Sequence, residues 1–361
     1  MLYRSSGSHI FVRVPAKLNL FLEVLGKRPD GFHELETLMM TVGVEDALSL
    51  TLGDDGGISL ECGWAEGWRI WDKHRGQRRL SGLRRLSGQW RLSGPAGPFS
   101  QPPLGRGSAG ASSEPAAEEP VFLPLPDSGD NLVVRALRLL QAIAVADNPD
   151  GLARSGAAAK LVKSIPAAAG LGGASADAAA ALLAGNRLWR LNWPTERLAE
   201  VAARLGSDIP FFIGQDGPAA RAAICRGRGE RIEWLQEMPR WPVVVVRPPV
   251  GLATAPVFRA CRPATEPRSV GPLLEALRRG DARRIQTSLW NRLEEPAATL
   301  TPWIGRLRRW FDRWDLIGHQ MSGSGSSYFG LCWSKRQARR VASLARQAGL
   351  GMAFATETPS V

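Results

Sequence analysis

Four groups of residues have types and spacings that can do chemistry. The longest runs Lys163-Ser-Ile-Pro166-Ala167-Ala168-Ala169-Gly170-Leu171-Gly172-Gly173-Ala174-Ser175-Ala176-Asp177, which reads as a strand end, a loop of small residues and the start of an alanine-rich helix. Small residues let backbone approach a ligand closely, and the N–H groups that open a helix attract anions, so this loop suits a phosphate. Neither common nucleotide fingerprint is present, because no Gly-Lys-Ser/Thr closes the loop and no leading Gly-x-Gly-x-x-Gly unit occurs. Taken alone, the loop would equally be a turn without a ligand. Lys17 and Asn19 stand two apart on an upstream strand and so leave the same face, away from Leu18 and Leu20. Alone, Lys17 would be a solvated edge lysine; beside a phosphate loop it is a cation for a transferring phosphoryl group. Asp208, in Leu205-Gly-Ser-Asp208-Ile-Pro, would by itself be a helix cap or turn former. His33 is one of only four histidines and follows Phe32 in a glycine-rich turn, which suits a flat heteroaromatic ligand.

These residues need elements to hold them. Phe11 to Val24 alternates well enough for a strand, and Ala47 to Leu52 resembles another. Asn131 to Val145 has helical spacing, Ala158 to Ile165 reads as the strand entering the loop, and a helix follows from about Ser175 to Leu188. Further helices are expected near Thr195–Leu205, Pro272–Arg279, Pro302–Trp314 and Ser334–Ala348, with a loop at Gly206–Pro210 and a strand at Trp241–Arg247. Ser322–Ser327 reads as a tight turn between two strands. Strands and helices mixed without regular βαβ alternation indicate an α+β protein of two domains.

Composition excludes several classes. The 361 residues are 44% hydrophobic and 22% charged, which is a globular pattern and not that of a collagen, a coiled-coil rod or a wholly disordered chain. No apolar run is long enough to span a membrane, and Met1 to Ser8 has no signal-like apolar block, so the expected compartment is the cytoplasm. Four scattered cysteines with no Cys-x-x-Cys pair suggest reduced packing residues, and no residue is assigned to a metal. Of the net charge of +12, +7 falls between Trp64 and Ser113. There Arg-Leu-Ser-Gly recurs at 79–82, 85–88 and 91–94, followed by a Pro/Gly/Ser/Ala-rich run, so about 63–128 is expected to be a mostly disordered basic insertion. Its tryptophans are the exception, since Trp64, Trp68 and Trp71 fall at helical spacing. Arginine with aromatics can bind single-stranded nucleic acid, but a binding protein has no reason to keep Lys17, Asp208 and His33 together, so nucleic acid is disfavoured as the main partner.

The segments Pro15-Ala-Lys17-Leu-Asn19-Leu, Lys163 to Asp177 and Leu205-Gly-Ser-Asp208-Ile-Pro-Phe together resemble the signature of the GHMP kinase superfamily. Gly26-Lys-Arg28-Pro-Asp30-Gly31-Phe32-His33-Glu-Leu, Asp46, Pro248 through Thr254-Ala-Pro-Val-Phe258, Asn291 and Ser322-Gly-Ser-Gly-Ser are similar to one branch of it, which acts on cytidine diphosphate methylerythritol. The resemblance implies a two-domain GHMP kinase fold. A ribosomal protein S5 domain 2-like, ATP-binding domain would cover 10–218 and a ferredoxin-like domain 219–355. It also implies ATP and Mg²⁺ as cofactors, and phosphorylation of the 2-hydroxyl of that small molecule in non-mevalonate isoprenoid synthesis; another small-molecule GHMP kinase is the alternative. By the same resemblance Lys17 and Asp208 are catalytic, Asp208 as general base beside Lys17, and Pro166 through Ala176 bind ATP. Asn19, Phe32, His33, Thr254 and Phe258 hold the substrate, with the cytosine between Phe32 and Phe258. The family's aromatic at Phe32 is commonly tyrosine, and its loop commonly reads Gly-Leu-Gly-Gly-Gly-Ser-Ser. Ala174 here places a Cβ where glycine could take positive φ, and Ala176 removes a hydroxyl, which puts ATP affinity in question.

Overall fold

The computed structural model describes residues 2–65, 83–86, 89–92, 129–214, 221–236 and 238–358. Its organising feature is a long antiparallel hairpin, His9–Lys27 against His33–Leu52, with register shifts between Pro15/Ala16, Asn19/Phe21 and Val24/Gly26. Burial alternates from His9 to Pro15 and is then continuous from Ala16 to Val24. Alternation marks a strand with one wet face, and an unbroken run marks one covered on both. Lys17 and Asn19 therefore lie within a doubly covered stretch, not on an open edge.

Around this hairpin a sheet forms in the order Leu2–Ser6, His9–Lys27, His33–Leu52, Ala157–Lys163, Ile58–Trp64, the last pair parallel. The first half of His33–Leu52 instead pairs with Ala222–Gly227, which pairs in turn with Arg231–Leu235. Helices Leu132–Asp147, Gly173–Leu188, Thr195–Ala203 and Ile209–Ile213 cover one face and share a core with it. Asn131 caps the first of these by accepting the Val133 N–H at 2.9 Å. The second sheet is wholly antiparallel, in the order Gly318–Met321, Tyr328–Leu331, Pro242–Arg247, Met352–Glu357, with helices Pro302–Phe311 and Lys335–Gln347 packed beside it. Its central strands, Pro242–Arg247 and Tyr328–Leu331, are the first and third of the four in chain order, which is the ferredoxin-like arrangement. A further core joins Leu18 and Leu20 of the first sheet to Val243, Val245 and Phe329 of the second, so the two layers are not independent.

Three expectations are corrected here. The first layer runs past 218, because Ala222–Gly227 fills the edge that the bent His33–Leu52 strand leaves free, and Trp290–Asn291 also joins it, parallel to His9–Lys27. The insertion starts later than 63, since Gly63 and Trp64 finish a strand paired with Val162 and Lys163, and Trp64 is therefore not in a helical turn. Within the insertion Leu83–Leu86 and Gln89–Leu92 pair antiparallel; Trp68, Trp71 and the rest of 66–128 lie outside the described residues. The loop expected at Gly206–Pro210 becomes a helix from Ile209, because proline near a helix start forfeits only an N–H with no intrahelical partner.

Candidate active site

The Gly173–Leu188 helix begins with Gly172 at φ +71°, and no side chain caps it. Its first intrahelical bond runs from Ala176 N–H to Gly172 O at 2.8 Å, so the amides of Gly173, Ala174 and Ser175 have no intrahelical acceptor. Three successive carbonyls of the loop before it are bonded. Ser327 N–H donates to Ala169 O (3.1 Å), Ser322 Oγ to Gly170 O (3.0 Å) and Lys17 N–H to Leu171 O (3.0 Å).

Lys17 Nζ donates to Asn19 Oδ1 at 2.6 Å, which bears out the shared face, and lies 3.5 Å from Asp208 Oδ2. The Lys17 side chain is 4% exposed and that of Asp208 38%. Asp208 occupies the N-cap position of Ile209–Ile213, yet its carboxylate makes no capping bond and is partly exposed to solvent. Asn19 Nδ2 donates to Thr37 Oγ1 at 2.9 Å, and Asn19 N–H to Ser322 Oγ at 3.3 Å. Gly172 and Gly323 leave the room this requires. A Cβ on Gly172 would stand 2.9 Å from Lys17 Cγ, and one on Gly323 would stand 3.2 Å from Lys17 Nζ.

His33 packs on Phe258 with ring centroids 5.1 Å apart, and burial, with a smaller effect from the Lys27 charge, lowers its imidazole below the usual value. Phe32 is 50% exposed, with the Arg228 guanidinium 4.8 Å over its ring. Thr254 opens the Thr254–Ala260 helix and its hydroxyl meets Ser324 Oγ at 3.0 Å. The structure thus brings His33 and Phe258 together, and Thr254 joins the turn that touches Asn19.

The loop itself corrects two points. Ala174 lies inside the helix, where no positive φ is needed; the strained residue is Ala168, at φ +49°. Ala176 does not face a phosphate, because its side chain is fully buried in the first core and its N–H is spent within the helix. Pro166, Ala169 and Leu171 are likewise buried, so their part is packing and backbone placement. Sequence reasoning gave no role to the Ser322–Ser327 turn or to Asn291, whose Nδ2 donates to Met321 O and Gly323 O, both at 2.8 Å. It also missed Thr37 and Arg247, the latter buried with its Nη2 3.5 Å from Ala167 O. A polar residue inside an apolar run was the available signal for Thr37, and the family resemblance had singled out Asn291 and the Ser322-Gly-Ser-Gly-Ser run without giving them a role; long-range contacts offered no signal for Arg247.

Residues 131–215 match the family model described as the GHMP kinases N terminal domain, and 273–349 that described as GHMP kinases C terminal. Together with the two sheets and the glycine-rich loop, these matches define a GHMP kinase. A curated 4-diphosphocytidyl-2-C-methyl-D-erythritol kinase of Pelotomaculum thermopropionicum is 34% identical over 92% of this chain and 92% of its own. One of Rhodopirellula baltica is 33% identical over 92% and 89%. A crystal structure of a 4-(cytidine 5'-diphospho)-2C-methyl-D-erythritol kinase matches with TM-score 0.66 and 31% identity, covering 97% of this chain and 100% of that one. The chain belongs to the 4-diphosphocytidyl-2-C-methyl-D-erythritol kinase family.

Proposed function

We propose that the protein transfers the γ-phosphoryl group of ATP to the 2-hydroxyl of 4-diphosphocytidyl-2-C-methyl-D-erythritol, yielding the 2-phosphate and ADP. The observation that carries this reading is the Lys17–Asp208 pair beside an uncapped helix start, on a chain whose relatives bear that name. In this scheme Asp208 takes the hydroxyl proton, the freed oxygen forms its bond to the γ-phosphorus, and the bond to the β-phosphate oxygen breaks. Lys17 stabilises charge on the attacking oxygen and the phosphoryl group, with Asn19 holding the ammonium in place. The amides of Gly173, Ala174 and Ser175 and the Ser175 hydroxyl take the phosphates. His33, Phe258 and Phe32 hold the cytosine, a neutral His33 being able to donate or accept one hydrogen bond. Among the described residues no group of three or more His, Cys, Asp or Glu side chains could hold a metal ion; a Mg²⁺ bound together with ATP would supply charge neutralisation of the phosphates. No helix among the described residues is long and apolar enough to cross a membrane, and we place the enzyme in the cytoplasm.

The test is an ADP-release assay comparing the cytidylated methylerythritol with mevalonate, galactose and homoserine. Turnover confined to the first supports the proposal. Preference for any of the others would replace it with a different GHMP kinase activity.

A further inference from the structure

Three buried side chains beside the phosphate loop take no part in the scheme above: Asp46 in the His33–Leu52 strand, Lys163 at the end of Ala157–Lys163, and Asp177 in the Gly173–Leu188 helix. Lys163 Nζ donates to Asp46 Oδ2 and, at 2.5 Å, to Asp177 Oδ2. Asp46 Oδ1 accepts the N–H groups of Ser164 (2.5 Å) and Ile165 (2.8 Å), the residues that lead into the loop. Asp177 belongs to the helix that leaves it, and a Cβ on Gly173 would stand 3.3 Å from Lys163 Nζ. One ammonium is therefore bonded to a carboxylate that fixes the loop's entry and to another that fixes its exit. Asp177 Oδ1, buried in the same place, has no hydrogen-bond partner.

We propose that Asp46, Lys163 and Asp177 are positioning residues that brace both ends of the phosphate loop, and that the brace keeps one proton on Asp177. A buried trio with one cation and two bare carboxylates would hold an uncompensated charge, which is strongly unfavourable away from water. Asp46 receives three donors, whereas Asp177 receives one and has an idle oxygen, so the proton settles on Asp177. Burial drives the Asp177 carboxyl well above the usual carboxylate range; Lys163 opposes this and Asp46 adds to it. A further titratable neighbour is Cys62 on Ile58–Trp64, whose thiol burial pushes up to about 11, so it stays neutral. This inference deepens the proposed function, since it rests on the loop being the ATP phosphate site.

The asymmetry between the two aspartates is testable in the full chain. Lys163→Met and Asp46→Asn should raise the KM for ATP about tenfold or more through a misplaced loop, with the acceptor KM unchanged, whereas Asp177→Asn, which keeps an oxygen for Lys163, should raise it several-fold less than Asp46→Asn does. Because asparagine mimics a protonated carboxyl, melting against pH reads the proton independently of activity. In the unfolded chain Asp177 loses its proton near pH 4, but the folded chain keeps it to higher pH. Rising pH therefore favours unfolding of the wild type, and Asp177→Asn should gain stability relative to it from about pH 4 upward until the folded carboxyl titrates. If Lys163→Met fails to fold, Asp46→Asn carries the kinetic arm. An unchanged ATP KM in Asp46→Asn would overturn the brace; a melting difference that is flat with pH, or an Asp177→Asn as damaging as Asp46→Asn, would overturn the proton. A wild type that turned over no ATP would sink the proposed function, while the melting series would still decide the protonation.

Discussion

Replacing Asp208 by asparagine keeps the size of the side chain and removes its ability to take a proton. Its carboxylate caps nothing but pairs with the buried Lys17 ammonium, so the substitution should cost some stability while the amide oxygen can still accept from Lys17. Turnover should fall by roughly 10² to 10⁴ with acceptor affinity nearly kept, as expected when a general base is lost. Near-normal turnover in steady-state kinetics would remove Asp208 from the chemistry. His33 predicts a pH profile. Burial holds its imidazole below the ordinary 6.5, so in the folded chain the neutral form persists to lower pH than in a free histidine. The acceptor KM should therefore be flat above that value and rise only below it, and His33→Ala should have a higher KM that no longer depends on acid in that way. A profile that bends above pH 7 would contradict a neutral histidine at the base.

At the scale of elements, the site depends on two loops from different sheets meeting back to back. Gly170 is the closest point of that meeting, at φ +71°, where a Cβ would stand 2.1 Å from Ser322 O. Alanine there must both strain the backbone and part the loop from the 322–327 turn, so Gly170→Ala should cost about 1–3 kcal/mol and lower activity. Ala168 is the natural control. It already sits at φ +49° and is exposed, so Ala168→Gly relieves strain while adding unfolded-state entropy, and the net change should be within about 0.5 kcal/mol. Thermal melting of the two variants side by side checks the contrast; equal effects would mean that the loop and the turn separate freely.

For the whole molecule the question is what residues 66–128 contribute. The chain departs from Ile58–Trp64 and returns into Leu132–Asp147, and these two elements pack against each other. A short connection can therefore join them, and the closure term changes only logarithmically with loop length. Replacing 66–128 by a Gly/Ser linker should leave kcat and both KM values within about threefold, because every residue assigned to the site lies outside it. Loss of soluble, folded protein on this replacement would show that the segment packs into the body.

What the sequence made legible is written in consecutive residues. The run from Lys163 to Asp177 and the Lys17/Asn19 alternation show in local spacing, Asp208 before Ile209-Pro210 was singled out only by the family resemblance, and the structure places Lys17, Asn19 and Asp208 within one cluster. Helices with a clear apolar stripe, such as Leu132–Asp147, were legible for the same reason. Local spacing does not report what lies on the other side of a residue. The Met39–Met40 stretch of His33–Leu52 shows no strand alternation because both its faces are covered, and Ala176 resembles a lost hydroxyl until the core is seen to enclose it. Asn19 meets Ser322, and Lys163 meets Asp46 and Asp177, only because the sheets stack as they do. How many donors reach Asp46 and how many reach Asp177 is set by the same stacking. That number belongs to the packed structure, since each donor arrives from a segment remote in the chain or is aimed by the loop that the packing holds.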